Sequence, residues 1–481
     1  MSTPRHTHHA SALAASALLV LLAGCGGGGG GGGSSGSDST GGTGGGGGGT
    51  TACAETVRKQ FVLDAAREWY LFDTLLPTAV DPGSFATAEA LLDHLTATAR
   101  AEGKDRYFSY LTTKSAENSL LGEGQFVGFG FRTRVDPVNR PMILDVYESS
   151  PAAEVAMQRG DEIVAIDSGS GYVAVSQLLA SGSTITDALG PAEAGVRRGL
   201  RLLRNGVTRE VSLVKRTVTI DPVPDGFGSQ VLPLAGTAGV GYLNLRSYIS
   251  TADAQLGPAF AVFRERGVRD FIVDLRYNGG GLVSTAELMN NLLGGARSTA
   301  EVQYRTVLNT RKTSENTTRT FRPNAQSVQP VRIAFLTTGA TASASEINVN
   351  SMAPWVEVAI VGEDTLGKPV GQYAFDVPNC EDRLRLVTFK TVNALGQGDY
   401  YDGLASTLKF ACAANDTLDQ PLGSTSEGMV AAALSWLRTG ACPAVMTSVA
   451  GRAKTAAAQF SERYPRPAQP TAAQWWLPGI E

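Results

Sequence analysis

The sequence predicts an α/β protein: a core on a largely parallel sheet, a β-rich unit inserted ahead of it, and a helical region in front. Between about residues 236 and 440, apolar strand-like runs alternate with helical ones, which implies βαβ crossovers. From about Gly124 to Lys215 the texture is short strands and turns. From residue 54 to about 115, apolar residues recur at helical spacing.

At 481 residues the chain has room for two or three domains, each with its own core. A formal net charge of −4 offers no basic footprint and argues against nucleic acid as a partner. Mean hydropathy near zero, with no long apolar span beyond the N-terminus, argues against a membrane-embedded body.

Residues 1–25 read as an export signal: Arg5 gives a basic start, Ser11 to Leu22 an apolar core, and Leu22-Ala23-Gly24-Cys25 follows. The last four resemble a bacterial lipoprotein cleavage box, which implies that Cys25 is lipidated; the plainer reading is an ordinary signal with an incidental cysteine. Residues 26–52 are almost entirely Gly, Ser and Thr, a composition that cannot bury apolar surface. Such a tether reaches roughly 25–30 Å. Together these features predict a lipoprotein at the periplasmic face of a bacterial membrane, the outer membrane favoured, touching the bilayer through its anchor only.

In the helical region, residues 53–118, Val57, Phe61, Ala65, Trp69, Phe72 and Leu76 form an apolar stripe closed by Leu76-Pro77, and a second helix covers Thr87 to Arg100. Residues 119–218 open with a strand over Phe126 to Arg132, followed by a strand over Met142 to Tyr147, a short helix at Ser150-Pro151, and Arg159 to Ile166. The run from Ser150 to Asp167 resembles a PDZ domain. That resemblance implies that Gly128, Phe129, Gly130 and Phe131 offer backbone N–H groups to a peptide's terminal carboxylate while the peptide adds a strand to the sheet edge. On the plainer reading, Gly128 and Gly130 are bulge glycines.

The core, residues 219–450, has strands at Val240–Leu245, Phe271–Leu275, Val331–Leu336 and Val356–Val361. Helices are expected near Ala254–Arg266, from Gly281 through Leu293, and from Glu346 to Met352. Residues 451–481 are a tail with Trp475-Trp476 and no nameable chemistry.

Ser343-Ala344-Ser345-Glu346 follows an apolar strand and opens a helix, which by itself is a capping box. A helix start also leaves amides unpaired at a positive dipole end, so a serine there has the Ala344 N–H beside it as an oxyanion donor. The next strand leads to Gly367-Lys368-Pro369, a lysine at the C-terminal edge of the sheet, where such folds present functional groups. A solvated surface lysine is the default alternative.

The combination of Thr341-Ala342-Ser343-Ala344-Ser345-Glu346 with Lys368, 25 positions after Ser343, and Gln372 resembles the carboxy-terminal processing peptidases, or tail-specific proteases. Asp274-Leu275-Arg276-Tyr277-Asn278-Gly279-Gly280-Gly281 resembles a second signature of that family. The resemblance spans roughly residues 60 to 440 and implies a ClpP/crotonase-like peptidase core with an inserted PDZ-like domain. It implies Ser343, rather than Ser345, as nucleophile, Lys368 as general base, Gln372 as its assistant, and the Gly280 and Ala344 amides as the oxyanion hole. Gly279 and Pro369 depart from the family's usual Pro and Gly, beside the motif residues. The implied substrates are polypeptides, unstructured or with free C-termini, and no cofactor or metal is implied. Lysine ordinarily titrates near 10.4, so a base at neutral pH must be shifted down by burial, and Glu363 or Asp364 nearby would oppose the shift. A catalytically silent PDZ-bearing scaffold and a small-ligand or lipid-binding protein are the competing readings.

His6, His8 and His9 lie in the signal, so His94, on a helix away from the motifs, is the single histidine of the mature chain. A histidine metal cluster is thereby excluded, and a Ser-His-Asp triad is disfavoured. Four cysteines follow Cys25, and export favours two disulfides. Of three pairings we expect Cys380–Cys412, closing a modest loop, and Cys53–Cys442, stapling the two ends.

Overall fold

In the computed structural model of the protein, residues 53–446, 460–467 and 470–481 are described; the expected signal, Cys25 and the Gly-rich run lie outside them. The apolar runs of the core become a six-stranded sheet in the order Ser229–Leu232, Val240–Asn244, Asp270–Asp274, Arg332–Thr337, Glu357–Gly362, Phe410–Ala413. All neighbours are parallel except the first pair. Strands covered on both faces should be apolar throughout, and Val240–Asn244 and Asp270–Asp274 are buried at every position. Leu243, Val273, Phe335 and Ile360 face one side, packed with Phe260, Met289, Leu292 and Val349 of the helices Ser250–Glu265, Val283–Leu293 and Ala344–Met352. Tyr242, Ile272, Leu336 and Val361 face the other, against Met429, Val430, Ala433 and Trp436 of the helix Gly428–Thr439.

A second, antiparallel sheet contains Tyr110–Thr113, Asp382–Asn393, Val302–Leu308, Thr317–Thr320 and Val370–Asp376. The helices Glu55–Trp69 and Ala88–Ala101 pack with residues of this sheet, as Val62, Leu63, Leu91, Leu95, Leu384 and Leu386 share one cluster. Of the expected stripe, Phe61, Ala65, Trp69, Phe72 and Leu76 pack in or against this cluster and Val57 departs at 41% exposed, while Lys59, Val62, Leu63 and Ala66 are also buried on the first helix.

The β-rich region forms a separate sheet of Phe131–Val135, Pro141–Val146, Glu162–Asp167, Arg197–Arg204 and Val207–Val214, with Tyr172–Ala174 at its side. The single strand expected over Phe126 to Arg132 is two. Gln125–Gly128 pairs with Arg216–Thr219, and Phe131–Val135 pairs with Pro141–Val146. The break falls at Gly130, whose φ of +85° suits glycine, and where a methyl group would stand 2.2 Å from Ser150 Cβ.

Both expected cysteine pairings are overturned: the disulfides are Cys53–Cys380 and Cys412–Cys442. Cys53 precedes the first helix, which packs on the antiparallel sheet, and Cys380 lies in the turn between that sheet's strands Val370–Asp376 and Asp382–Asn393. Cys412 ends in the parallel sheet, beside the chain that leaves the Gly428–Thr439 helix. Each bond joins cysteines packed near the same sheet, as Cys412 and Cys442 share the cluster on one face of the parallel sheet.

Candidate active site

Strands in parallel register bring their C-terminal ends to one edge, and here Thr337 pairs with Gly362. The turn after the first leads to Ser343 and the loop after the second to Lys368, so the two reach the same edge. Ser343 sits at the start of the Ala344–Met352 helix with φ +57° and ψ −117°, strained for a side-chain-bearing residue. Its amide donates to Glu346 Oε2 at 2.9 Å. The same carboxylate accepts the amides of Gly367 and Lys368, each at 2.8 Å. The capping-box glutamate therefore also pins the lysine loop to the serine turn. Glu346 is fully buried, which raises its pKa against the opposing pull of Thr365 and these amides.

Lys368 is 8% exposed. Its Nζ donates to Gln372 Oε1 at 3.0 Å, and Gln372 Nε2 donates to the Phe108 carbonyl. The ammonium lies 5.0 Å from the Phe108 ring centroid and 5.3 Å from the Trp476 ring. Burial pulls its pKa down to about 7; Asp105 and Glu346 oppose that shift, and Arg466 and Arg385 assist it. The two carboxylates feared from the sequence are engaged elsewhere: Glu363 pairs with Arg463 at 2.9 Å, and Asp364 accepts the Thr365 and Ala405 amides. Among the described residues no hydrogen bond joins Ser343 to Lys368.

Gly280 packs against the serine turn, where a methyl group would lie 2.8 Å from Ser343 Cβ and 2.9 Å from the Ala344 nitrogen. Its φ of +105° requires glycine. The Gly280 amide is occupied by Asn278 Oδ1 at 3.0 Å. Asn278 is itself fixed through Nδ2 to the Leu245 carbonyl at 2.7 Å. Ser345, the other candidate serine, is fully buried and donates to the Asn278 carbonyl at 2.9 Å, which leaves Ser343 as the serine at the cleft. His94 stands apart, its ring 5.0 Å from that of Phe85.

The amides of Phe129, Gly130 and Phe131 converge, as the sequence suggested for a carboxylate site, and all three donate to the main-chain oxygen of Glu481, at 3.1, 2.8 and 3.4 Å. Gly128 lies beside them, where a methyl group would meet that same Glu481 carbonyl at 2.9 Å. The tail that carried no readable chemistry thus ends in this groove. The sequence also gave no sign of Asp105, Phe108 and Trp476 around the lysine. Asp105 is the hub that fixes this wall, accepting from Tyr70 Oη, Ser109 Oγ and the Phe108 amide at 2.9, 2.6 and 2.8 Å.

A parallel sheet presents at one edge a strained serine and a buried lysine whose pKa burial lowers to about 7, the pairing that a nucleophile-and-base site would need. A model of peptidase family S41 matches residues 239–403, and a model of the peptidase S41 N-terminal domain matches residues 58–110. The chain is 26% identical over 255 residues to a carboxyl-terminal-processing protease of Synechocystis sp., covering 53% of this chain and 56% of that protein. It is 22% identical over 310 residues to the carboxy-terminal processing protease CtpA of Bacillus subtilis, covering 63% and 60%. A solved structure of a proposed S41 protease from Bacteroides fragilis has the same fold, with a TM-score of 0.62 at 24% identity over 79% of this chain and 97% of that one. These matches support the family of the carboxy-terminal processing peptidases, with peptidase S41 domains at residues 239–403 and 58–110. The chain spans a little over half the length of these curated relatives.

Proposed function

We propose that the protein is a serine endopeptidase that cleaves polypeptides with Ser343 as nucleophile and Lys368 as general base. The observation that carries this reading is the lysine: burial brings it to about pKa 7 beside Gln372, with the strained serine turn tied to the same loop through Glu346. Neutral Lys368 takes the Ser343 hydroxyl proton as the serine oxygen attacks the scissile carbonyl, then returns it to the departing amine. Water then attacks the acyl-enzyme as Lys368 accepts its proton and passes it to Ser343 Oγ, which leaves as the free hydroxyl and releases the new carboxyl end. Gln372 holds Nζ in place through its side-chain oxygen. The Ala344 amide donates to the oxyanion, joined by Gly280 once Asn278 yields that amide.

The region 119–218 serves as a PDZ-like peptide-recognition unit, and 219–450 as the peptidase core. The substrates are unstructured polypeptides or free C-termini. Export and anchoring through Cys25 rest on the leader pattern; no helix of the described residues is long and apolar enough to cross a membrane.

The test is cleavage of a disordered polypeptide by the chain and by Ser343→Ala and Lys368→Ala, both with retained circular dichroism. We expect loss of at least a thousandfold in either variant. Turnover at the wild-type rate in either would refute the mechanism. No cleavage by any form, with peptide binding retained, would favour the silent scaffold.

A further inference from the structure

The groove described above is filled by the same chain. Residues Leu477–Glu481 run antiparallel to Phe131–Val135: the Thr133 amide donates to the Gly479 carbonyl at 2.8 Å, the Glu481 amide to the Phe131 carbonyl at 3.0 Å, and Arg132 bridges Ile480. This is strand addition at a sheet edge with an oxygen at the meeting point of three amides. Leu477 and Ile480 are buried among Leu120, Phe126, Val218 and Ile249, so the segment is held by apolar contact as well.

Upstream, the same segment closes the cleft. Trp476 stands over Lys368, its carbonyl is pressed against Gly279, and Pro478 lies beside both. The space left among Gly279, Ala342, Lys368, Gln372, Trp476 and Pro478 is about 30 Å³, room for about two waters and too small for a peptide. With this segment in place the space beside Lys368 holds no peptide, although a larger cavity of about 1080 Å³ adjoins it along Phe108, Leu366 and Trp475.

The last side chain enters a polar pocket. Glu481 Oε1 accepts from Thr186 Oγ1 at 2.6 Å, both residues buried. Burial raises the Glu481 carboxyl to about 7, outweighing the downward pull of Lys215, which is also buried and donates to the Gly190 carbonyl at 2.7 Å. A pocket lined only by hydrocarbon would not tolerate an acid; this one offers a hydroxyl donor to Oε1 and a lysine nearby, while among the described residues Oε2 has no hydrogen-bond partner.

We propose that residues Leu477–Glu481 are a resident ligand that holds the cleft closed, and that the peptides able to displace them end in an acidic residue, selected by Thr186 and Lys215. The proposal rests on the groove and cleft being the recognition and cleavage sites of the proposed peptidase. Displacement is competitive: a free peptide that takes the groove releases Glu481, the strand pairing and then Trp476.

The test separates binding from catalysis. In the full chain carrying Ser343→Ala, fluorescence anisotropy measures binding of labelled Leu-Pro-Gly-Ile-Glu with a free carboxylate. Gly479→Val is added to expel the resident segment, because a Cβ there would stand 2.0 Å from the Thr133 carbonyl oxygen. We expect affinity at least tenfold tighter with Gly479→Val, and at least fivefold weaker binding when the peptide ends in Leu. Glu481→Leu is a second, milder release that leaves the backbone free to fold. In the chain with Ser343 intact, Gly479→Val and added Gly-Ile-Glu each raise cleavage of a disordered polypeptide at least fivefold. Equal affinity in all three forms, or equal binding of Glu- and Leu-ending peptides, overturns the proposal even where Ser343-dependent cleavage is present. Binding as expected without Ser343-dependent cleavage in any form overturns the peptidase reading and leaves the resident ligand standing.

Discussion

Lys368 and Ser343 are each held in a state that an isolated residue would avoid. Lowering the lysine pKa to about 7 is a cost to folding. Between pH 7 and the usual lysine value the unfolded chain binds the proton and the folded chain does not, so stability rises with pH across that window. Below about 7 the folded state must charge a buried amine, a penalty on the order of 4 kcal/mol. Lys368→Met should therefore be inactive yet more stable than wild type at and below neutral pH, by up to that amount, in urea melts at pH 6; equal or lower stability would mean that the lysine is solvated. In wild type, the acid limb of kcat/KM should have a midpoint near pH 7. At Ser343 the positive φ costs of order 1–3 kcal/mol. Ser343→Gly should then be more stable than Ser343→Ala by about 1 kcal/mol in chemical denaturation, although both remove the hydroxyl.

At the scale of elements, Glu346 couples one helix start to one loop. Glu346→Gln keeps one carboxamide oxygen but replaces the second acceptor with a donor facing an amide, so the serine turn and lysine loop lose a shared anchor. We expect kcat to fall by about tenfold to a hundredfold with KM little changed. A fall in KM-dependent binding alone would assign Glu346 a different part. The βαβ order and the serine and lysine positions were legible because parallel strands buried on both faces leave long apolar runs and end in functional loops. Trp476 and Phe108 were not, since a short Trp-rich tail and a turn after a helix carry no periodicity, and what they touch is decided by the sheet edge they meet. The break at Gly130 was hidden for a similar reason: Phe126 to Arg132 alternates well enough for one strand, and the close approach of Ser150 that splits it is a tertiary fact.

Across the whole molecule, arginines join the small sheet to the core. Arg246 pairs with Asp145 at 2.8 Å, and Arg159 reaches Tyr277 Oη at 2.9 Å and the carboxylate of Asp416. Asp416 also meets Arg276, which is buried with Asp274 and Glu427, each 2.9 Å away. These arginines hold the Asp416 carboxylate well below its ordinary range despite burial, so its contribution is present above the usual carboxylate value and lost as pH falls below it. Arg276→Met leaves three buried carboxylates short of a cation and should destabilise the chain by about 3–5 kcal/mol, read as a lower midpoint in guanidinium. Pairing of the cysteines belongs to this scale too, which is why spacing along the chain misassigned it.

The Cys53–Cys380 bond has a mechanical side. Any pull applied through the residues before Cys53 enters the fold at that sulfur and passes to the turn between Val370–Asp376 and Asp382–Asn393, bypassing the Glu55–Trp69 helix. The strand that receives the load carries Gln372, the partner of Lys368. With the disulfide intact, that force has a covalent path into the hairpin; once it is reduced, the Glu55–Trp69 helix must carry the load alone. Tension on the front of the molecule and the position of the Lys368 amine are thus connected by one covalent link and one hairpin.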